Sequence, residues 1–318
     1  QAYSILKTGK DYYGNPWPIH FHSIAEWRTP LYLYSAVPTV ALFGITPLGV
    51  RLPAAIFGIM SVYVLFLFVR QVTNHESLAT TASAILAVNP WSLQYSRAGF
   101  EVTLLIFLLL LGLYCFFRAL QDSRFLIPAC ISLVLTLWVY ATAKLFTPIL
   151  LMFLLIVWRK EILALPKKYL LFAFFSLILI GAPITYDTFW GKGAQRFSYI
   201  SVFTNPITEP EVGVARQIDA RVRGEEGVGL TPQILDRLIH NKYTFWGKNI
   251  IDNYFRAFST DFLFVKGDIN LRHSIGTGEF YKIEALLLAF GIILFFTSKL
   301  HATRYKLLIL FWLLAGAL

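Results

Sequence analysis

Long apolar runs recur along this chain from residue 52 to its end, separated by short polar or charged stretches. Hydrophobic residues make up 57% of the sequence and charged residues only 14%. A water-soluble domain of this length would not normally carry so large an apolar share, because it buries only part of its surface. The pattern predicts an all-α, polytopic membrane protein, in which the runs form a bundle of transmembrane helices.

Eight runs are candidates for membrane spans. A helix needs roughly 20 apolar residues to cross about 30 Å of hydrocarbon, and seven of the runs come close to that length. The predicted spans are 52–69, 78–95, 102–117, 126–142, 145–158, 169–186 and 283–298, with an eighth from Leu307 onward. Because Gln1 is not an initiator methionine and the last run stops early, we expect the sequence to be a fragment of a longer protein.

These runs divide the chain into four parts. Residues 1–51 are predicted to form an outer loop with juxtamembrane helices, and 52–186 to form transmembrane helices. Residues 187–282 are predicted to form a periplasmic or extracytoplasmic loop segment, and 283–318 to form truncated transmembrane helices.

The distribution of Lys and Arg predicts which loops face the cytoplasm. One set of alternate loops holds ten cations against three acids, and such an excess correlates with the cytoplasmic side. The segments 1–51, 96–101, 143–144 and 187–282 then face outward. We therefore predict a multi-pass protein of the inner (plasma) membrane whose active side is extracytoplasmic. The same loops explain most of the net charge of +10, so we expect no nucleic-acid partner.

Two short helices are predicted in the first outer loop. Apolar residues at helical spacing lead to Gly9, a favourable helix end, and Pro30 opens a second stretch that ends near Phe43 and Gly44. Amphipathic, aromatic-rich helices of this kind lie in the headgroup region of a membrane.

The long outer segment holds one clear helix signal. Thr231 as N-cap and Pro232 at the first helical position precede an apolar stripe that runs from Leu235 to Phe258. We expect this face to pack on the exposed ends of the bundle. Residues 262–281 are rich in Gly, Asp and Asn, which predicts an ordered loop returning to a span.

Two residues near Pro30 are candidates for substrate binding. The guanidinium of Arg28 suits a phosphate oxygen, although an Arg at this depth also reaches lipid headgroups for purely structural reasons. Glu26 adds a carboxylate beside it.

Further candidates lie at the outer ends of the spans. Glu101 sits at the mouth of a very apolar run, and an ionisable group there indicates a functional site unless it only pairs with Arg97. Lys144 interrupts a helical hairpin and either steers an anionic ligand or serves as an interfacial turn lysine. Arg272 and His273 either contact substrate or form a structural turn.

The sequence favours no metal or nucleotide cofactor. His20, His22 and Glu26 offer too few ligands for a defined zinc site, so hydrogen-bonding histidines are the preferred interpretation; a divalent cation is possible but has no support. Cys115 and Cys130 fall inside spans and are read as neither disulfide nor metal ligand. Motifs for nucleotide-driven transport, metalloproteases and serine hydrolases are missing from the sequence.

Four outer stretches carry a family resemblance. Residues 1–14 resemble a first outer loop that follows an acidic Asp-Glu motif, and 26–34 resemble a stretch in which a basic residue precedes Pro-Leu-Tyr. Residues 90–101 resemble an outer turn that supplies a second acid, and 267–281 resemble an outer loop of a bacterial subgroup. In order and sidedness they resemble the GT-C glycosyltransferases of family 39 and their bacterial relatives, which include protein mannosyltransferases and aminoarabinose transferases.

The resemblance implies an enzyme of the bacterial cell envelope. Its donor would be a polyprenyl-phosphate-linked sugar in the membrane lipid, and its acceptor an unidentified lipid, glycan or protein. The main catalytic acid would precede Gln1, with Glu101 assisting. Arg28 would bind the phosphate, with Arg97 and Lys144 as further candidates.

A transporter or lipid flippase is the alternative. Such a protein places charges or Gly/Pro breaks near mid-membrane in corresponding halves. Here the polar groups collect at the outer span ends, which favours surface chemistry.

Overall fold

The structure, a computed structural model, describes residues 1–23, 27–191, 193, 201–225, 232–268, 270, 273–274, 276–297 and 303–316. These residues are mostly helical, with almost no sheet, which confirms the all-α prediction. The exception is a small antiparallel hairpin of β1 (Phe21–His22) and β2 (Trp27–Arg28), which the sequence did not predict.

The helices of the first outer loop and the bundle are α1 (Ala2–Thr8), α2 (Leu31–Phe43), α3 (Pro47–Thr73), α4 (Glu76–Val88), α5 (Pro90–Ala98), α6 (Val102–Ala119), α7 (Leu126–Leu135), α8 (Ala143–Val157), α9 (Arg159–Leu163) and α10 (Lys167–Trp190). Later in the chain follow α11 (Thr208–Val222), α12 (Ile234–Ile239), α13 (Lys242–Ala257), α14 (Lys282–Thr297) and α15 (Thr303–Ala315).

Within the described ranges, three helices are long and apolar enough to cross a membrane: α3, α6 and α10. The 18 residues of α6 extend about 27 Å at a rise of 1.5 Å per residue. Shorter apolar helices, including α4 and α8, account for other predicted spans. The protein is therefore a multi-pass membrane protein with spans of unequal length.

Both predicted helices of the first outer loop are present. Helix α1 ends at Gly9, whose φ of 67° is the left-handed conformation that glycine adopts without strain. Helix α2 follows Pro30 and ends at Gly44. These boundaries were readable because proline and glycine fix local backbone conformation.

The predicted span 78–95 is wrong, because it is two helices that meet at Asn89. Pro90 disfavours a helical conformation at the preceding residue, so α4 stops at Val88. The Asn89 side chain then accepts a hydrogen bond from the Ser92 amide at 3.3 Å and caps α5. Its amide also donates to the buried Glu284 at 3.1 Å, which ties α14 to this break.

The predicted span 126–142 is also shorter than expected. Helix α7 ends at Leu135 and tightens into a 3₁₀ turn, Thr136–Trp138. The buried Thr136 hydroxyl bonds to the Leu133 carbonyl at 2.5 Å and to the Thr147 hydroxyl of α8 at 2.6 Å. A hydroxyl that competes for helix carbonyls in this way favours a change of backbone geometry.

The single helix predicted from Pro232 to Phe258 is two helices, α12 and α13. Thr231 lies outside the described residues, and α12 begins at Ile234 rather than at Pro232. Asn241 interrupts the stripe, because its side chain accepts hydrogen bonds from the amides of Tyr243 at 2.9 Å and Thr244 at 3.1 Å and so starts α13. No residue of α13 is buried, and although Tyr254 reaches α15, Ile251 and Phe255 stay exposed, so its apolar face packs on the bundle less than predicted.

The bundle core forms where α6 packs between α3 and α7. Gly112 of α6 permits the close approach of α7, since a Cβ at that position would lie 2.6 Å from Leu133. A second group of buried residues joins Tyr32 of α2, Leu104 of α6 and Val139 beyond α7. This group lies directly beneath the outer loop and its hairpin.

Candidate functional site

One end of the bundle gathers the polar groups of distant segments. His20 from the first outer loop contacts both Lys144, at the start of α8, and Asp187, near the end of α10. Helices α8 and α10 therefore present opposite termini at the same end. The chain therefore crosses an even number of times between Lys144 and Asp187, away along α8 and back along α10, as the predicted topology has it.

The three side chains form a chain of hydrogen bonds. The Nδ1 atom of His20 bonds to the carboxylate of Asp187, and its Nε2 lies 2.8 Å from the ammonium of Lys144. His20 is only 4% exposed, so its imidazole is almost entirely withdrawn from water. We call this arrangement the His20 cluster: His20, Lys144 and Asp187.

The imidazole of the His20 cluster is neutral at pH 7. Burial and the positive charge of Lys144 lower the pKa of His20 to about 4, against the opposing effect of Asp187. A neutral imidazole donates from one nitrogen and accepts at the other. Since Lys144 can only donate, Nε2 is the acceptor and Nδ1 carries the proton that His20 gives to Asp187.

Two glycines shape the surroundings of this cluster. A Cβ at Gly193 would lie 2.7 Å from Cε1 of His20, and one at Gly191 would lie 2.2 Å from Oδ1 of Asp187. Only glycine permits the backbone after α10 to approach the side chains of His20 and Asp187 so closely. The adjoining cleft, of about 290 Å³, is lined by Asn15, Pro18, Ile19, His20, Trp27, Asp187 and Gly191.

The hairpin brings Arg28 to the same region. Arg28 pairs with Phe21, the residue after His20, and Trp27 lines the cleft. The hydroxyl of Thr29 donates to the Val139 carbonyl at 2.5 Å, which fixes the hairpin against the segment that leads to Lys144. Two of the predicted phosphate-binding residues, Arg28 and Lys144, thus come from neighbouring elements.

Glu101 lies at the N-terminus of α6, at the same end of the bundle. Burial and the nearby charge of Glu101 raise the pKa of the Tyr32 hydroxyl to about 12, so the carboxylate and the start of α2 are neighbours. Tyr32 donates to the Val50 carbonyl at 3.1 Å and lies next to Gly99. The structure therefore connects Glu101 with the hairpin through α2.

Arg97 and His273 lie on a different side of this end. Arg97 is exposed and donates to Gln94 of its own helix at 3.0 Å. His273 lies 3.2 Å from Asp268 and contacts the rings of Tyr95 and Phe100. His273 thus belongs to a contact between α5 and the returning outer loop, whereas the hydrogen bond of Arg97 stays within α5.

That loop contact contains a buried carboxyl group. Glu279 is 5% exposed and accepts a hydrogen bond from the Asp268 amide at 2.8 Å. Burial, with the nearby Asp268 carboxylate, raises the pKa of Glu279. Two other predicted residues, Glu26 and Arg272, lie outside the described residues.

His20 and Asp187 were not predicted as site residues. His20 was read as a hydrogen-bonding histidine, and Asp187 as the first residue of the long outer segment. Their contact joins residues 167 positions apart, and no local pattern in the sequence signals it. His22 instead packs against the rings of Tyr13 and Trp27. In the described ranges, no group of three His, Cys, Asp or Glu side chains is placed to hold a metal ion.

A family match that covers half of the chain defines the class of this protein. Residues 28–186, which include Arg28, Glu101, Lys144 and the spans α3 and α6, match the family described as dolichyl-phosphate-mannose-protein mannosyltransferase. The chain belongs to this family of GT-C membrane glycosyltransferases. The resemblance noted in the sequence is thereby confirmed.

A curated relative supports the same class. The chain is 29% identical over 97 residues to the Bacillus subtilis (strain 168) protein named "Putative mannosyltransferase YycA". The match covers 30% of this chain and 14% of that relative, so the chain spans only a small part of its length. No solved structure matches the chain.

Proposed function

We propose that this protein transfers a sugar from a polyprenyl-phosphate donor to an acceptor hydroxyl at the extracytoplasmic face of the membrane. The observation that carries the proposal is the His20 cluster, which holds the ammonium of Lys144 beside a cleft next to the Arg28 hairpin. A membrane enzyme that binds a lipid phosphate needs such cations at the end of its spans.

The cations suit a phosphate that leaves during the reaction. Lys144 offers a compact charge with three N–H donors, and Arg28 offers a planar fork that matches phosphate oxygens. Positive groups placed where negative charge develops lower the barrier of the transfer step. We therefore assign donor-phosphate binding to Arg28 and Lys144.

The chemistry needs a carboxylate in addition to the cations. The acceptor oxygen attacks the anomeric carbon, and the bond from that carbon to the phosphate oxygen breaks with its electron pair. The hydroxyl proton passes to a carboxylate, and polyprenyl phosphate leaves. We assign Glu101 to assist in this proton transfer, because it lies at the same end of the bundle as the cations.

His20 and Asp187 act in this proposal as positioning residues. Asp187 fixes the tautomer and direction of the imidazole, and the imidazole fixes the direction of the Lys144 ammonium. This interpretation explains why a histidine is buried between an acid and a lysine, where it cannot gain a proton at neutral pH.

Sugar transfer is the direct test. The protein, expressed from its complete gene and purified in lipid nanodiscs, would be incubated with radiolabelled undecaprenyl-phosphate mannose and a cell-envelope extract, since the family description makes mannose the first sugar to try. We expect label in the acceptor fraction and release of undecaprenyl phosphate. Arg28→Ala and Glu101→Gln should each reduce the rate at least tenfold.

Matched controls separate the site from general charge effects. Arg221 and Glu209 are exposed residues of α11, so Arg221→Ala and Glu209→Gln should retain wild-type rates. Wild-type rates in both Arg28→Ala and Glu101→Gln, with normal insertion into the membrane, would remove the site assignment. Absence of transfer and of donor hydrolysis in the wild-type protein would count against the proposed reaction with this donor.

A further inference from the structure

Helix α13 is strongly amphipathic. Apart from Phe245, its large apolar residues occupy one half of the helix surface, and its charged residues the other half, at 100° per residue. The apolar side comprises Tyr243, Trp246, Ile250, Ile251, Tyr254 and Phe255, and continues to Phe258 at the C-cap. The polar side carries Lys242, Lys248, Asp252 and Arg256.

Among the residues that the structure describes, only one edge of the apolar side is covered by other parts of the protein. Trp246 packs against Phe203 with ring centroids 5.3 Å apart, and it is half-buried. Farther round the same side, Tyr243 is 69% exposed, Ile251 56% and Phe255 67%. Such a row of large apolar side chains marks an interaction surface.

The position of α13 identifies what covers this surface. The Tyr254 hydroxyl lies 3.5 Å from the Leu313 carbonyl of α15. The neighbouring Trp312 packs against Phe146 of α8, with ring centroids 5.2 Å apart. Phe146 is two residues from Lys144, so α13 lies level with the polar end of the bundle, where the hydrocarbon of a membrane begins.

The composition of α13 is that of an interfacial helix. Tyr and Trp are enriched where hydrocarbon meets headgroups, because their rings combine an apolar body with a polar tip. The helix carries three cations against one acid, and a basic polar face favours anionic headgroups. Low overall hydrophobicity with a sharp division into two sides distinguishes such a helix from a span.

We propose that α13 lies in the headgroup layer of the membrane at the Lys144 end of the bundle, with Ile251 and Phe255 inserted among lipid chains. The occupant of the exposed apolar face is phospholipid. Lys242, Lys248 and Arg256 then face the phosphates and water. The outer segment is thereby anchored at the membrane surface by its own helix, independently of which reaction the protein catalyses.

Spin labels on neighbouring residues test this placement. Ile251→Cys and Asp252→Cys would each be made in a Cys115→Ala, Cys130→Ala background, labelled with a nitroxide, and reconstituted in vesicles of phosphatidylethanolamine and phosphatidylglycerol. Asp252 is the matched control, because it is adjacent in sequence but lies on the polar side. Frequent collisions of the label with oxygen indicate that it lies among lipid chains. Frequent collisions with a water-soluble nickel chelate indicate that it lies in water.

Each outcome decides the proposal. We expect the ratio of oxygen to nickel collisions to be several times higher at residue 251 than at residue 252. Equal and high nickel accessibility at both residues would show that the face is open to water. Protection of residue 251 from both reagents would show that protein, either a partner or a second copy of the chain, covers the face. Either of these two results would overturn the proposal.

Discussion

At the scale of single residues, the organising feature is a buried imidazole that orients a lysine. A lysine side chain loses much rotational freedom when it is held in one direction, and that cost is large for a group with four rotatable bonds. The hydrogen bond from Lys144 to His20 restricts the lysine side chain before any ligand binds. The hydrogen bond from His20 to Asp187 restricts the imidazole in the same way. Preorganisation of this kind improves ligand affinity without additional contacts.

The same geometry predicts a dependence of stability on pH. The pKa of His20 is about 4 in the folded protein and near 6.5 when exposed. Between these values the unfolded chain binds a proton that the folded protein does not, so stability falls as the pH is lowered from 6.5 towards 4. Thermal unfolding in detergent across this range measures the effect.

His20→Gln provides the comparison for that experiment. Glutamine retains an oxygen that can accept from Lys144 but does not titrate, so the decline of the unfolding temperature should be shallower in this variant. Parallel curves for the wild type and His20→Gln would contradict the assigned neutral state of His20.

Residue patterns explain what could be predicted of this site and what could not. Arg28, Glu101 and Lys144 were identifiable because a charged group beside an apolar run is conspicuous in a sequence. Asp187 also follows an apolar run, but the sequence gave no reason to pair it with a histidine 167 positions away. Its role depends on α10 ending beside the start of α8, which is a property of the tertiary fold.

At the scale of helices, close packing depends on where glycine lies. Gly112 and Gly291 both occupy apolar helices, but their surroundings differ. A Cβ at Gly112 would lie 2.6 Å from the buried Leu133, whereas a Cβ at Gly291 would meet nothing within 4 Å. The first glycine therefore sets the distance between α6 and α7.

Gly112→Ala should accordingly destabilise the protein by about 1–3 kcal/mol, the usual cost of overpacking a core. Gly291→Ala is the matched control and should leave stability unchanged or raise it, since alanine is the better helix former. Thermal unfolding of both variants in nanodiscs distinguishes them. Equal effects would show that α6 and α7 do not pack as described.

The observed helix boundaries show which helix ends can be predicted from the periodicity of apolar residues and which cannot. Gly9, Pro30 and Gly44 marked their helix ends correctly, because each restricts or permits a particular backbone conformation. The breaks at Asn89 and Asn241 interrupt apolar patterns that continue on both sides. An asparagine that caps a new helix changes the direction of the chain without changing the composition that defines a span.

At the scale of the whole molecule, the two ends of the bundle have different chemistry. One end holds the His20 cluster, the hairpin and Glu101. At the other end, Glu161 of α9 pairs with Arg304 of α15, and this contact holds the pKa of Glu161 below its usual value. Which of these ends faces the cytoplasm stays a prediction from the Lys and Arg counts.

Labelling of introduced cysteines tests that sidedness. Tyr12 and Lys160 are exposed residues at opposite ends, and the native Cys115 and Cys130 are buried. A membrane-impermeant maleimide should label Tyr12→Cys in intact cells and label Lys160→Cys only after the membrane is opened. Labelling of both residues in intact cells would contradict the proposed topology.

The most direct test of the central claim is the affinity for undecaprenyl phosphate, measured by titration of the protein in nanodiscs. Lys144→Met should bind this lipid about 10- to 100-fold more weakly than the wild type, because a charged hydrogen bond contributes about 1.5–3 kcal/mol. Lys7→Met, which removes an exposed lysine of α1, should bind with wild-type affinity. Equal affinities of the wild type and Lys144→Met would contradict a phosphate site organised by His20 and Asp187.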